Sequence, residues 1–433
     1  MARKKHRMLI AVAVFLIVGS AVYGLASLKA ESRIVLNVAS QPRWSTIAME
    51  KYIPEFEEKY GIDVAIHSYP EAELYAKIRS DVAEKIGAFQ IYYTCVHFLP
   101  EVVEAGGLVP LLDYYPPEYD YNDFPEITRM AGSRNGVAYL APFMLEGWIL
   151  YYRKDLFEAK GLAVPTTVDE WMQCAEALHD PPNLYGCALR MGRVGHQWTN
   201  WGTFVSMYGG ALISEDRKAV FDSPEAIKGT KKFIEMGTKW SPPGGAVYSW
   251  SDAMEAFATG KVATFADSTN FVMTFEDPKK SLVAGKVGYV PMPVGDAGPG
   301  SFLGNHGWGI SAHGCKTEEE RKAAGLYIAW WTSKEMEMRR LQEAFMECPR
   351  VSTWASPEMA EIFKDYPDFI DAFGGSLESA KATWKAMNPQ PESFQMCDRA
   401  CILLEEFSTG AKTDYEAEFK AFAEWFNGIL SKR

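Results

Sequence analysis

The sequence predicts an α/β protein of two domains, and three observations lead to this expectation. The chain has 433 residues, which is more than one compact hydrophobic core usually organises. Strand-like and helix-like patterns alternate over residues 34–93, and longer helical patterns dominate the second half. With 48% hydrophobic and 23% charged residues, the composition is that of a globular protein.

The first half alternates strand and helix in a regular order. Residues 34–39, 63–67 and 89–93 predict strands, and the stretches 45–60 and 71–86 between them predict amphipathic helices. This order implies a mainly parallel sheet covered by helices on both faces. Ligands in such sheets bind at the carboxyl ends of the strands.

The second half is richer in helices. Helices are predicted at residues 168–178, 224–237, 317–333 and 414–430. Short strands are predicted at residues 148–152, 262–266, 287–290 and 308–311. The sequence has no internal repeat and no linker rich in Pro, Gly or Ser. We therefore expect the chain to cross between two lobes several times.

The N-terminus has the pattern of an export signal. Basic residues at positions 3–7 precede an uncharged apolar run over residues 8–28, which is typical of a secretory signal. Small residues favour cleavage near Ala26 or Ala30, whereas 21 uncharged residues are also enough for an uncleaved anchor. Both interpretations place the chain from about residue 31 onward outside the cytoplasm, and the run ends without the Cys of a lipoprotein anchor.

The charge balance argues against a nucleic-acid partner. The net charge is −12, and removal of residues 1–30, which hold five basic and no acidic residues, lowers it to −17. An acidic surface of this size repels phosphate backbones.

The seven cysteines match no zinc-binding spacing and cannot all pair within one chain. In an oxidising compartment a bridge between Cys174 and Cys187 is conceivable. Cys397 and Cys401 share one predicted helical turn, where disulfide geometry is awkward. We favour buried free thiols for most of the seven.

The usual catalytic signatures are missing. The sequence has no G-x-S-x-G elbow, no phosphate-binding loop and no H-E-x-x-H metal helix, and its seven histidines form no close pair at ligand spacing. No metal site, cofactor or enzymatic activity is therefore predicted. Because carboxylates are plentiful, a secreted glycan-degrading enzyme is the alternative from a different class.

Aromatic residues beside polar ones indicate carbohydrate chemistry. A sugar ring packs its apolar C–H face on an aromatic plane, while its hydroxyls need hydrogen-bond partners. Glu146 near Trp148 has this character. The segment of Asn305, His306 and Trp308 has it as well. For any one of the thirteen tryptophans the competing interpretation is core packing.

Several short motifs occur in a fixed order along the chain. They are Tyr151–Phe157, Gly161–Leu162, Pro165–Trp171, Ala177–Pro181, Tyr185–Gly186, Ala256–Lys261, Glu276–Ser281, Val283–Gly288, Pro291–Gly295 and Ala329–Glu335. Together they resemble the sugar-binding family of extracellular solute-binding proteins of ABC importers. Within that family, the chain is most similar to the branch that serves mannitol and sorbitol.

The resemblance implies a two-lobe periplasmic-binding-protein fold, like that of maltose-binding protein, in which crossing strands join the lobes and a hinge closes them on the ligand. It places the first lobe at residues 31–141 plus 263–312 and the second, helix-rich lobe at 142–262 plus 313–433. The implied partners are the transmembrane subunits of an ABC permease, to which a monomer delivers its ligand in the periplasm or an equivalent extracytoplasmic space.

The resemblance also assigns ligand-binding roles. Glu146 matches a Glu that follows a Pro-Phe pair in the polyol branch, and Asp267 matches an Asp that follows a short strand there. Both carboxylates are expected to accept hydrogen bonds from ligand hydroxyls. Trp308 is the expected stacking platform, and Arg350 the expected donor to adjacent hydroxyls. As competing interpretations, Asp267 caps the helix that follows it and Arg350 pairs with a surface carboxylate.

Loops that face the cleft in this family supply Trp44, Thr94, Trp198, Trp201 and Trp250. The predicted set is completed by Trp148, Asn305 and His306, from the polar and aromatic combinations described above.

Two segments depart from the branch. One Trp stands in residues 304–309 where the branch has Trp-x-Trp, and residues 93–95 replace its Gly-Thr. The resemblance therefore implies a polyol or small saccharide without specifying which. An oligosaccharide or a glycerol phosphate derivative is the alternative within the same class.

Overall fold

A computed structural model describes residues 33–43, 46–47, 50–193, 196–343 and 348–432. The predicted export signal at residues 1–30 lies outside the described residues, and so does Trp44. Within the described ranges, no helix combines the length and apolar character that a membrane span needs.

The strands alternate with helices along the chain. The strands are β1 (Val35–Ser40), β2 (Asp63–Ser68), β3 (Ile91–Cys95), β4 (Ser133–Arg134), β5 (Val137–Ala138), β6 (Ala141–Arg153), β7 (Tyr185–Ala188), β8 (Val262–Ser268), β9 (Val287–Pro291) and β10 (Leu303–Ile310). The helices of the first half are α1 (Ile53–Tyr60), α2 (Glu71–Ala83), α3 (Leu99–Glu104), α4 (Glu126–Ala131), α5 (Lys154–Lys160), α6 (Val168–Leu178) and α7 (Trp198–Met207).

The remaining helices make up most of the second half. They are α8 (Pro224–Lys239), α9 (Trp250–Ala258), α10 (Val272–Phe275), α11 (Glu318–Trp331), α12 (Lys334–Gln342), α13 (Val351–Trp354), α14 (Pro357–Ile362), α15 (Pro367–Met387), α16 (Ser393–Ser408) and α17 (Tyr415–Leu430). Short 3-10 turns lie at Leu112–Tyr114, Tyr121–Asp123, Gly245–Val247 and Thr269–Phe271.

Local sequence explains where several helices begin. Thr167 and Glu170 form a capping box at the start of α6, and Thr317 and Glu320 form another at the start of α11. Ser223 caps α8, whose first residue is a proline. These caps place the observed starts at or within one residue of the predicted ones.

One sheet runs through the molecule in the order β2-β1-β3-β10-β6-β8-β7, with β9 paired to β6. β1 pairs in parallel with β2 and β3, and β7 pairs in parallel with β8. β6 and β10 run antiparallel to their neighbours. The predicted α/β class and the parallel arrangement of the first three strands are confirmed.

The 13-residue strand β6 joins the two halves of this sheet. Residues 141–147 pair with β10, and residues 148–153 pair with β8 and β9. Most of its residues are buried, because helices cover both faces of a sheet of this kind. Glu146 lies where β6 leaves the first half of the sheet and enters the second.

Two large hydrophobic clusters form the core, and the first extends into both halves of the sheet, since it includes Phe257, Phe265 and Tyr289. The first contains residues of β1, β3, β10, α1, α2 and α11, and the second contains residues of β7, α6, α7, α8, α16 and α17. Tyr327 and Trp331 of α11 pack in the first cluster, where their rings contact Phe56 and Phe143.

The predicted lobe boundaries stay a prediction, and the contacts of two elements bear on them. α11, in the segment 313–433 that the sequence analysis assigned to the second lobe, packs in the first cluster. β8, whose residues 263–268 were assigned to the first lobe, pairs with β7 and the second part of β6, and it contributes Phe265 to the first cluster and Ala266 to the second. An amphipathic pattern shows that an element has a buried face but does not identify the core that buries it.

All seven cysteines are free and buried, including Cys174 and Cys187. This agrees with the interpretation of buried thiols.

Candidate ligand-binding site

Polar residues from both lobes lie just past the carboxyl ends of parallel strands. We call the region where they approach each other, around Arg43, His306 and His196, the interlobe seam. Arg43 comes shortly after β1 and His97 after β3, whereas Arg190 comes after β7. Arg43 Nη2 lies 3.4 Å from Nε2 of His306 on β10. Besides burial, the charges of Arg190 and Arg43 both lower the pKa of His196, which precedes α7. A sheet of this topology binds ligands at the carboxyl ends of its parallel strands.

Glu146 is half-buried at this seam. Its Oε2 accepts a hydrogen bond from Ser268 Oγ and another, 3.1 Å long, from Asn270 Nδ2. Ser268 is the last residue of β8 and Asn270 lies in the 3-10 turn that follows, so the end of β8 orients a carboxylate carried by the crossing strand.

Gly304 makes room for the Glu146 side chain. The two residues face each other in the β6–β10 pair. A Cβ added to Gly304 would lie 2.5 Å from Glu146 Oε1, closer than van der Waals contact allows. A larger residue at position 304 would therefore displace the carboxylate.

Asp267 is fully buried and engaged by Arg190. Arg190 Nε lies 2.9 Å from Asp267 Oδ2, and a second guanidinium nitrogen donates to Oδ1. The backbone N–H of Ser268 donates to Oδ1 at 2.7 Å. Asp267 thus accepts three hydrogen bonds from protein groups, and its role as an acceptor for ligand hydroxyls stays a prediction.

Trp148 packs under the same ion pair. The Arg190 guanidinium lies 4.9 Å from the centre of the Trp148 ring. The indole Nε1 donates to Asn200 Oδ1, and the ring edge meets Phe302. Trp148 is 1% exposed, so it holds Arg190 in place and presents no open face for stacking.

The two lobes also approach each other through Glu71 and His196. Their side chains, Oε2 and Nε2, lie 3.9 Å apart, and Gln41 Nε2 donates to the same carboxylate at 3.3 Å. Both side chains are partly exposed. Glu71 therefore makes a contact from the start of α2 to the segment that precedes α7.

Burial keeps the three imidazoles of the site neutral. It lowers the pKa of His97 to about 3, and it lowers that of His306 well below its usual value, with a further contribution from the charge of Arg43. Burial also lowers the pKa of His196, and Arg190 and Arg43 add to this while Glu71 opposes it. The charges at neutral pH are therefore carried by Arg43, Arg190 and the carboxylates.

An aromatic cluster closes one end of the seam. The His97 ring is stacked on Phe302 with centroids 4.9 Å apart, and it meets Trp198 and Trp384 edge-on. Trp250 is 43% exposed, with one face stacked on Phe271. Phe271 follows Asn270, whose side chain donates to the Glu146 carboxylate.

The family model for bacterial extracellular solute-binding proteins matches residues 44–338, which is more than half of the chain. The chain belongs to this family. The predicted recognition is confirmed, and membership places this solute-binding protein outside the cytoplasm.

Two curated relatives and two solved structures are similar to it. The erythritol/L-threitol-binding protein of Mycolicibacterium smegmatis is 23% identical over 87% of this chain and 82% of its own length. The mannitol-binding protein of Pseudomonas aeruginosa is 26% identical over 71% of each chain. An ABC transporter solute-binding protein of Agrobacterium radiobacter, in complex with ribitol, has a TM-score of 0.80 at 25% identity, over 92% of this chain and 98% of its own.

A maltose-bound protein of Thermotoga maritima has a TM-score of 0.76 at 22% identity, over 92% of this chain and 99% of its own. This likeness concerns the fold alone. It confirms the predicted two-lobe architecture of the maltose-binding-protein type.

The structure of this solute-binding protein brings Glu146, Asp267, Trp148, Trp198 and His306 together at the seam. Trp250 is partly exposed and stacked on Phe271. Asn305 and Thr94 lie on β10 and β3 beside the seam, both buried, and Asn305 Nδ2 donates to Thr128 O at 3.2 Å.

Three predicted residues lie elsewhere. Trp308 is 1% exposed in the first core, against Tyr93, Phe143 and Trp331. Trp201 is fully buried in the second core, where its Nε1 donates to Thr230. For both tryptophans the structure has the core packing that was the competing interpretation.

Arg350 is buried between α12 and the loop before α4. It donates to Thr332 O at 2.9 Å and to Asp123 Oδ2 at 3.1 Å, and its guanidinium lies 4.3 Å from the Phe124 ring centre. It pairs with a carboxylate, as the competing interpretation held, but inside the first lobe rather than at the surface.

Sequence reasoning missed the residues that complete the site. Arg43, Arg190 and Glu71 are ordinary charged residues in the sequence. A usable signal was present, because Arg190 comes two residues after a short buried strand and Arg43 three residues after another. Positions just past the carboxyl ends of parallel strands are where such sites are built.

Proposed function

We propose that this protein captures a polyol between its lobes and delivers it to an ABC permease. The observation that carries the proposal is the set of half-buried polar side chains near strand ends, with Arg43 and Glu71 just past β1 and β2 and Glu146 bonded to the end of β8, where the Arg190–Asp267 pair is buried. Charged groups make strong hydrogen bonds to hydroxyls, and closure removes competing water.

The charge balance supports an uncharged ligand. Three carboxylates (Glu71, Glu146 and Asp267) face two guanidiniums (Arg43 and Arg190), and the imidazoles are neutral. A phosphate group would meet no excess of positive charge here. The glycerol phosphate alternative is therefore disfavoured.

The arrangement of the aromatic rings favours an acyclic polyol over a pyranose. Among the predicted site tryptophans that the structure describes, Trp148 and Trp198 are buried against neighbours, whereas Trp250 is 43% exposed. An open chain of hydroxylated carbons has no ring face to stack, whereas a pyranose has one. The similar proteins described above bind erythritol or L-threitol, mannitol and ribitol.

A thermal-shift screen followed by calorimetry tests the proposal. The purified protein is screened against tetritols, pentitols, hexitols, mono- and disaccharides and glycerol phosphates. A ligand that binds the folded state alone raises the melting temperature by mass action. We expect the largest shift with a polyol, whereas no shift with any polyol or saccharide would overturn the proposal.

The proposal includes finer expectations about the molecule. Export removes residues 1–30, the mature chain is a monomer, and the bound polyol is released unchanged. N-terminal sequencing of the exported protein, light scattering and chromatography of the recovered ligand test these three points.

A further inference from the structure

One face of α2 is turned toward the second lobe. Glu71, Tyr75 and Arg79 are spaced four residues apart, so they lie in one row along the helix. Glu71 meets His196 of the second lobe. The next two residues of the row meet Phe394, which is near the start of α16.

Phe394 belongs to one lobe and packs in the other. The buried residues of α16, including Met396, Cys397 and Ala400, lie in the second core. The half-buried Phe394 side chain instead packs against the first core. Its ring centre lies 5.6 Å from those of Tyr75 and Phe98, edge-on to both.

The first lobe holds this contact in a defined geometry. Tyr75 and Phe98 pack together with centres 4.5 Å apart. The Arg79 guanidinium lies 4.8 Å from the Phe98 ring and 6.0 Å from the Phe394 ring. Two hydrogen bonds to Glu101, of 2.5 and 3.0 Å, hold the guanidinium there.

We infer that Phe394 is a positioning residue, an apolar clasp that keeps the lobes closed without contacting the ligand. Separation of the lobes would return the Phe394 ring, and part of Tyr75 and Phe98, to water, which is unfavourable. Glu71 lies one turn before Tyr75, so closure through the clasp also places Glu71 opposite His196. His97 directly precedes Phe98, so the same contact fixes its position. The inference rests on the proposed function, because the effect is read most directly in ligand release.

The test compares Phe394→Ala with the wild-type protein by stopped-flow and calorimetry, using the polyol that gives the largest thermal shift. We expect dissociation to become about tenfold faster and the Kd to rise by about the same factor, while the association rate changes little. Phe394→Tyr keeps the ring and restores most of the affinity. Trp425→Ala, which removes a half-exposed indole on α17, is the matched control and leaves both rates unchanged.

A ligand-free measurement separates failure of the clasp from failure of the proposed function. Small-angle scattering of the ligand-free variant should give a larger radius of gyration than that of the wild-type protein, because the lobes separate more often. If the wild-type protein binds no polyol, the proposed function fails, and the two radii of gyration alone test the role of Phe394. Equal radii, or a Phe394→Ala variant with wild-type dissociation, would overturn the inference.

Arg79→Gln gives a second variant should Phe394→Ala fold poorly. The Arg79 side chain is 44% exposed, so its replacement leaves the core intact. It removes the guanidinium that lies against the two rings. The same changes in dissociation rate and radius are expected, smaller in size, and their absence would overturn the inference as well.

Discussion

Arg190 and Asp267 form a buried ion pair across the ends of the parallel strands β7 and β8, with Nε 2.9 Å from Oδ2 and the guanidinium stacked on Trp148. The sequence suggested that Asp267 binds ligand hydroxyls. In the structure both of its oxygens accept hydrogen bonds from Arg190.

Replacement of Asp267 by Asn is therefore expected to destabilise the protein. Removing one partner of a buried ion pair leaves an uncompensated charge, which costs about 3–5 kcal/mol. Urea denaturation measures the change. Asp296→Asn, which breaks an exposed pair with Lys228, is the control and should leave the denaturation midpoint nearly unchanged. A variant with wild-type stability and lost polyol binding would instead support direct contact between Asp267 and the ligand.

Glu146→Gln should weaken polyol binding with little change in stability. The half-buried carboxylate faces the seam, and hydrogen bonds to a charged acceptor are about twice as strong as neutral ones. We expect the Kd to rise by about tenfold or more, measured by calorimetry. Glu361→Gln, an exposed change on α14, is the control. Unchanged affinity in Glu146→Gln would show that the carboxylate is structural.

Gly304→Ala should lower affinity through Glu146. The added methyl group would lie 2.5 Å from Glu146 Oε1, so the carboxylate must move away from its position at the seam. We expect a loss of affinity similar to that of Glu146→Gln. Gly428→Ala on α17 meets no atom within 4 Å and should leave binding unchanged. If Gly304→Ala binds as the wild-type protein does, Glu146 is not held by this contact.

The fold was predictable because its signals are local. The regular alternation over residues 34–93, and capping residues such as Thr167 and Thr317, locate strands and helices without knowledge of the rest of the chain. The cluster in which α11 packs was not predictable, because it depends on which distant residues Tyr327 and Trp331 contact.

The site was predictable only in part, for a related reason. Glu146 stood out as a carboxylate within a nearly continuous apolar strand. Arg190 and Arg43 did not, because their role depends on strands that are far apart in sequence and meet at one edge. The burial of Trp308 was not predictable either, because the Gly-rich segment around it does not show which residues surround the indole.

Trp308→Ala is expected to destabilise the first lobe rather than to act on binding alone. The indole is 1% exposed among aromatic rings, and truncation of a buried Trp leaves a cavity that costs about 3–5 kcal/mol. Thermal or urea denaturation measures the loss. The polyol affinity of the remaining folded protein should be close to that of the wild type. A stable variant with weakened binding would restore the stacking role predicted from sequence.

Acid should destabilise the protein partly through His97. Burial lowers the pKa of His97 to about 3, whereas a solvated imidazole titrates near 6.5, about the value expected in the unfolded chain. As pH falls below about 6.5 the unfolded chain takes up this proton first, so stability that is complete above that pH is lost toward pH 3. The group contributes a slope of about 1.4 kcal/mol per pH unit within this window. His97→Phe keeps a ring against Phe302 and removes the titration, so its unfolding free energy should fall less steeply between about pH 6 and pH 4. Urea denaturation at several pH values measures both slopes, and equal slopes would show that the imidazole is solvated.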